Sequence, residues 1–149
     1  MSTITEPGSL RHKTIFIVED NIQNRLVFQM TLSMSGARVE FERTGREVVT
    51  RLRALQTVDL IILDLMLFNG RSGFDVYADI RAVEAFDPIP VVAVSAMEPA
   101  IALPKTRQLG FNGFIAKPVD DELFPGQLVQ ILAGEQVWYS GGHYHTVAP

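Results

Sequence analysis

Apolar residues along this chain follow two alternating periods. Four short runs, "TIFIVED" (14–20), "VDLIILDL" (58–65), "PIPVVAVSA" (88–96) and "GFIAKP" (113–118), are nearly continuous and rich in branched side chains. They read as strands buried on both faces. A fifth run, "ARVEFER" (37–43), alternates Val39 and Phe41 with Arg38, Glu40 and Glu42, the pattern of an edge strand with one face in water. Between the runs the apolar positions recur every three to four residues. "NIQNRLVFQMTLSMSG" sets Ile22, Leu26, Met30 and Ser33, with Val27 and Met34, at helical spacing and stops at Gly36. "TGREVVTRLRALQ" (44–56) turns Val48, Leu52 and Leu55 inward, and "GFDVYADIRAVEA" (73–85) does the same with Phe74, Tyr77, Ile80 and Val83. In "MEPAIALPKTRQLG" (97–110), two prolines disturb the pattern. Proline inside a helix costs about 3 kcal/mol, so irregular chain is expected up to Leu103 and a short helix from Pro104. "FPGQLVQILAG" (124–134) is the last predicted helix, with Pro125 in its first turn.

The order is strand–helix repeated five times. It predicts one α/β domain over residues 13–134, a doubly wound (βα)5 fold with a parallel sheet covered by helices on both faces. Residues 1–12 read as a flexible polar arm. Residues 135–149, "EQVWYSGGHYHTVAP", form a tail too short to be an output domain and too aromatic for an inert linker. Trp138 and Tyr139 are expected to pack back on the domain or on a second copy, which would make a homodimer.

Composition narrows the class. The chain has 149 residues, 47% of them hydrophobic and 20% charged, as a globular domain does. A net charge of −4 with no basic stripe argues against DNA and anionic membranes as partners. The longest apolar run is interrupted by Asp64 and is far too short to span a bilayer. The absence of cysteine excludes disulfides and thiolate chemistry and fits a cytoplasmic protein.

Ligands of open parallel sheets bind outside the carboxyl ends of the strands. The polar residues at those ends are Glu19 and Asp20 after the first strand, Asp64 after the third, Ser95 at the end of the fourth and Lys117 after the fifth. Two carboxylates about 4 Å apart repel by roughly 4 kcal/mol at an effective dielectric of 20. Lys117 offsets one negative charge, and a hard divalent cation would offset more. Oxygen donors without His or Cys suit Mg²⁺, or Mn²⁺. A metal, a lysine and a hydroxyl together describe a place for a phosphoryl group.

"FIVEDN", "LIILDL", "VVAVSAM" and "GFIAKP" resemble, in order, the four signature segments of the receiver domain of two-component response regulators. The resemblance implies a flavodoxin-like sheet of five strands in the order 2-1-3-4-5. It implies that Asp64 is the phosphoacceptor, that Asp20 binds Mg²⁺ directly with Glu19 assisting, and that the backbone carbonyl of Met66 is a further ligand. Ser95 would hydrogen-bond a phosphoryl oxygen, Lys117 would pair with another, and the Lys117–Pro118 peptide would be cis. Ser95 and Phe114 would form the switch, acting on the face made by the fourth helix, fifth strand and fifth helix (α4-β5-α5). The implied protein is a single-domain response regulator rather than a turnover enzyme. It would be phosphorylated by a sensor histidine kinase or phosphotransfer protein and would signal by protein–protein contact. The alternative is a receiver-like interaction module that works without phosphorylation.

The loop after Asp64 departs from the family. "LMLFNGRSGF" lacks the usual proline and Asp-Gly pair and has one residue more, while Met66 and Met97 are apolar where many relatives are polar. Those methionines are expected to shield an acyl phosphate from water. Other chemistries fit less well. A haloacid-dehalogenase-type phosphatase needs a second Asp two residues after its nucleophile, and "VEDN" lacks that spacing. A nucleotide or flavin site needs a Gly- or Ser/Thr-rich first loop, and "EDNIQN" is neither.

Overall fold

The computed structural model describes residues 8–68 and 70–146. The elements run β1 (Thr14–Val18), α1 (Ile22–Met34), β2 (Arg38–Glu42), α2 (Val48–Ala54), β3 (Leu60–Leu63) and α3 (Gly73–Arg81), followed by a 3₁₀ turn (Glu84–Phe86). Then come β4 (Val91–Ser95), α4 (Pro99–Leu109), β5 (Gly113–Ala116), α5 (Phe124–Leu132) and β6 (Val137–Tyr139). All neighbouring strands pair in parallel, in the order β2-β1-β3-β4-β5-β6. The predicted order 2-1-3-4-5 is therefore present, and the sheet is longer than expected by one strand.

Successive residues of a strand point to opposite faces, so each central strand feeds two cores. Phe16, Val18, Ile61, Leu63, Val91, Ala93 and Phe114 pack with α2, α3 and α4. Ile15, Ile17, Leu60, Ile62, Val92, Val94 and Ile115 pack with α1 and α5. Burial on both faces is what removed period-two alternation from these runs.

Four expectations need correction or completion. The spacing in α1 left open which way its stripe faces, and that face is outside: Ile22, Leu26, Val27, Met30 and Met34 are exposed, and Phe28 and Leu32 are the buried residues. Two apolar faces on one helix satisfy the same period, and spacing does not say which meets the sheet. In β2, Glu42 is buried rather than solvent-facing. Its carboxylate accepts hydrogen bonds from the Thr44 amide and hydroxyl at 2.8 and 2.6 Å, and also from the Gly45 amide. It thereby organises the loop into α2.

The third correction concerns α4, which begins at Pro99 and runs through Pro104. Pro99 lies in the first turn, where a missing N–H costs nothing. Pro104 and Ala100, whose carbonyl loses its usual N–H partner, are both exposed. Fourth, the polar arm ends earlier than residue 12. Leu10 is fully buried and its amide donates to the Ser35 carbonyl at 2.8 Å. The rest of the predicted arm, residues 1–7, lies outside the described residues, as does Asn69 in the loop after Asp64.

The tail packs on its own domain. Val137–Tyr139 adds to the outer edge of β5, and Trp138 and Tyr139 are both buried. The expected α4-β5-α5 face is consequently bordered by a strand.

The α1 orientation yields a direct check. Phe28→Ala should cost about 3–5 kcal/mol of unfolding free energy, as removal of a buried aromatic does. Met30→Ser, about 200° round the helix on the outer face, should stay within about 0.5 kcal/mol of the parent. Urea unfolding of both variants distinguishes the two faces.

Candidate functional site

The carboxyl ends of β1, β3, β4 and β5 lie side by side because these four strands are consecutive neighbours in the sheet. Each contributes its polar residue as the chain leaves the ladder. Glu19 and Asp20 follow β1, with the Glu19 amide still bonded to the Glu42 carbonyl at 3.1 Å. Asp64 follows β3, its amide donating to the Val18 carbonyl at 3.1 Å. Ser95 ends β4, and Lys117 follows β5 with its amide on the Ser95 carbonyl at 3.0 Å. The backbone ladder has fixed the positions of these residues before any side chain interacts.

The side chains then converge on one cation. Lys117 Nζ lies 2.5 Å from Glu19 Oε1 and 2.8 Å from Asp64 Oδ2. One carboxylate oxygen from each of Glu19, Asp20 and Asp64 lies within 4.8 Å of the other two. The second oxygens are also engaged: Asp64 Oδ1 accepts from the Met66 amide at 3.0 Å, and Glu19 Oε2 from the Asn21 amide at 3.1 Å. Asp20 Oδ2 accepts from the Phe68 amide at 2.7 Å. Glu19 and Asp64 are buried, and Asp20 is partly open to solvent.

Three negative charges and one positive charge leave the cluster with an excess of two. Burial pushes the Glu19 carboxyl above its ordinary value, the Asp64 charge adds to this, and Lys117 pulls it back only in part. Burial alone would lower the Lys117 ammonium, but Asp64 and Glu19 outweigh it and hold its pKa above the usual lysine value. Lys117 is therefore protonated throughout the neutral range. The donor set fits a hard divalent cation: all oxygen, compact, net negative and with one partly open member.

Ser95 is fully buried, and its Oγ accepts from the Met97 amide at 3.2 Å. Phe114 is also fully buried, one strand over, opposite Ala93 in the ladder. Met66 is half exposed, whereas Met97 packs against the α3–α4 side of the core. The Lys117–Pro118 peptide is cis, as the resemblance implied.

Some supports were not legible beforehand. The Arg25 guanidinium donates to the Glu19 and Asp20 carbonyls at 3.1 and 2.8 Å, pinning the loop from α1. The exposed Phe68 contributes only its backbone amide, so its side chain gave no signal. Gly73 opens α3 so close to the end of β3 that a Cβ there would sit 2.2 Å from the Asp64 carbonyl oxygen. A glycine at a helix start is ordinary in sequence, and only the fold shows what it touches.

The raised Glu19 carboxyl has a signed consequence. At neutral pH its ionised form weighs against the metal-free fold, because the unfolded chain ionises it in the ordinary range. That cost falls away as pH drops through the raised folded-state range, and it is gone below the ordinary carboxylate value. Glu19→Gln should therefore be more stable than the parent at pH 7, with the gap closing as pH approaches the ordinary carboxylate range. Urea midpoints measured without divalent metal at a series of pH values test this.

Known proteins are similar to this chain in sequence and fold. The response regulator receiver domain model matches residues 15–129. The polar-differentiation response regulator DivK of Brucella ovis is 33% identical over 107 residues, covering 72% of this chain and 85% of DivK. The transcriptional regulatory protein AfsQ1 of Streptomyces coelicolor is 28% identical over 80% of this chain, which spans only about half (51%) of AfsQ1's length. Among solved structures, the phosphorylated cyanobacterial phytochrome response regulator RcpA superposes with a TM-score of 0.65 at 32% identity, covering 83% of this chain and 90% of RcpA. A family match over most of the chain, on the fold and the residue cluster described above, places this protein among the response regulator receiver domains.

Proposed function

We propose that this chain is a phosphoacceptor that takes a phosphoryl group on Asp64 from a histidine kinase or phosphotransfer protein and signals by protein–protein contact. The observation that supports it most is the Lys117 ammonium bridging Glu19 and Asp64 at the edge of a carboxylate cluster with excess negative charge. A purely structural site has no need of that excess.

In the proposed reaction a carboxylate oxygen of Asp64 attacks the phosphorus of a phosphohistidine. The P–O bond forms as the P–N bond breaks, and the leaving imidazole takes up a proton from solvent. Asp64 is held for this by its two hydrogen bonds, from Lys117 and from the Met66 amide, so little reorientation is required. Lys117 is close enough to pass from Asp64 to an oxygen of the arriving group. Ser95 Oγ is the hydroxyl available to another oxygen. Asp20, Asp64 and the Met66 carbonyl would hold Mg²⁺, with Glu19 assisting. When bound, the ion supplies charge neutralisation for the phosphoryl oxygens. Ser95 and Phe114 are the two buried groups through which occupancy of the site would reach β4, β5 and the helices beside them.

The exposed stripe of α1, Ile22, Leu26 and Met30, starts two residues after Asp20. It gives a phosphodonor an apolar surface beside the acceptor. Among the described residues, no helix is long and apolar enough to cross a membrane. We infer a cytoplasmic setting from the kinase partner that the proposed chemistry requires.

Intact mass after incubation with acetyl phosphate and Mg²⁺ tests the reading. One phosphoryl adduct is expected, absent without Mg²⁺ and absent in Asp64→Ala. Lys117→Ala, if circular dichroism shows it folded, should acquire the adduct at least about a hundred-fold more slowly. A folded parent without an adduct would instead favour the unphosphorylated interaction module.

A further inference from the structure

The family match ends at residue 129, and β6 lies beyond it. This segment, Val137–Thr146, is a strap across the outer edge of β5. Its only ladder is three residues long, pairing Gly113 with Val137, Phe114 with Trp138 and Ile115 with Tyr139. Trp138 is therefore the sheet neighbour of Phe114 on the same face, and the two share one core cluster with Ala102 and Leu103 of α4. Tyr139 points to the opposite face, among Leu128 and Ile131 of α5.

Beyond the ladder the strap is tied to both flanking helices. On the α4 side, the Arg107 guanidinium lies 5.1 Å from the Trp138 ring centroid and donates to the Thr146 carbonyl at 2.7 Å. On the α5 side, Gln127 Nε2 donates to the Tyr144 hydroxyl at 2.9 Å, and Tyr144 packs on Tyr139 with centroids 4.6 Å apart. Each tether also leaves a buried polar atom without a hydrogen-bond partner among the described residues, Arg107 Nε and Gln127 Oε1. Residues 141–146 are exposed. A cleft of roughly 560 Å³ runs from Ser95 and Lys117 to Tyr139 and Gly141, so the strap forms one wall of a space that opens on the phosphoacceptor site.

We propose that residues 137–146 are a latch released by occupancy of the site, a reading that rests on Asp64 being the phosphoacceptor. The strap bridges α4 and α5, so a change in their spacing cannot preserve both tethers. Its inner residue, Trp138, is the sheet neighbour of Phe114, and both are buried in one core cluster, so displacement of Phe114 is transmitted to the indole. Latch and site are then linked, and the linkage is reciprocal: loosening the strap favours the occupied site as much as occupancy loosens the strap.

Trp138 is the only tryptophan in the chain, so its fluorescence reports the strap directly in the unmodified full-length protein. The experiment follows intact mass, tryptophan emission and amide exchange together, before and after acetyl phosphate with Mg²⁺. Adduct formation is expected to move the emission to the red and to speed exchange several-fold at residues 113–116 and 137–146. The shift should be absent in Asp64→Asn. Arg107→Ala, which removes the α4 tether outside the site, should begin red-shifted and carry a several-fold larger phosphorylated fraction at subsaturating donor. An adduct without change in emission or exchange, or with a shift to the blue, overturns the latch and leaves the phosphoacceptor reading intact. No adduct in a folded protein overturns both.

Discussion

The rest of the structure depends on an electrostatic imbalance placed at one edge of a parallel sheet. Three carboxylates and one ammonium meet where β1, β3 and β5 end, and Lys117 is bonded to two of the acids at once. Glu19 and Asp64 are buried at this edge, which strengthens the charge interactions they make. The arrangement survives because each carboxylate also accepts a backbone N–H, from Asn21, Phe68 or Met66. Those donors compensate desolvation but supply no net charge. The excess of two negative charges is left for a ligand, and the charge of a hard dication matches it.

That constraint explains which parts of the sequence were legible. The site residues stand where strands end, strand ends are marked by the loss of continuous apolar character, and the sheet brings those ends together whatever the helices do. Asp64 was conspicuous because an acid in "LIILDL" has no local partner. Its partner is 53 residues away in sequence, on β5, and is reached only through the strand order. By contrast the Arg25 guanidinium binds backbone carbonyls, and Gly73 and the Phe68 amide act through backbone atoms. Backbone contacts depend on loop path, and side-chain identity does not encode loop path.

The misreadings have a common physical origin as well. Periodicity shows that a helix has an apolar face, and α1 has two: Phe28 and Leu32 meet the α5 side of the sheet, while Ile22, Leu26 and Met30 meet solvent. The penalty for proline depends on what the lost N–H would have bonded and where the freed carbonyl points. Pro104 and Ala100, whose carbonyl loses that donor, are both exposed, so the average cost overstated the local one. Glu42 looked like a surface residue because alternation assigned it outward. It is buried because the next turn needs an acceptor for Thr44 and Gly45. In each case the short-range pattern was read correctly, and tertiary context decided which of its solutions was used.

The tail resolves differently, because its role follows from the sheet rather than from its own pattern. A parallel sheet ending at β5 leaves a row of unpaired backbone groups on its outer edge. Gly113 sits on that edge with the Val137 carbonyl 2.4 Å from where a Cβ would be, so the edge is shaped to admit a close neighbour. Supplying that neighbour from the same chain, immediately after α5, covers the edge without a second molecule. The ladder is three residues long, a shorter register than β1–β2 or β4–β5. The element that closes the sheet is thus held by a short ladder on one side only, and it lies beside Phe114, buried on the strand that pairs with β4. A protective edge and a sensitive output place the same demand on the chain: a strand that pairs well enough to stay, and lightly enough to leave.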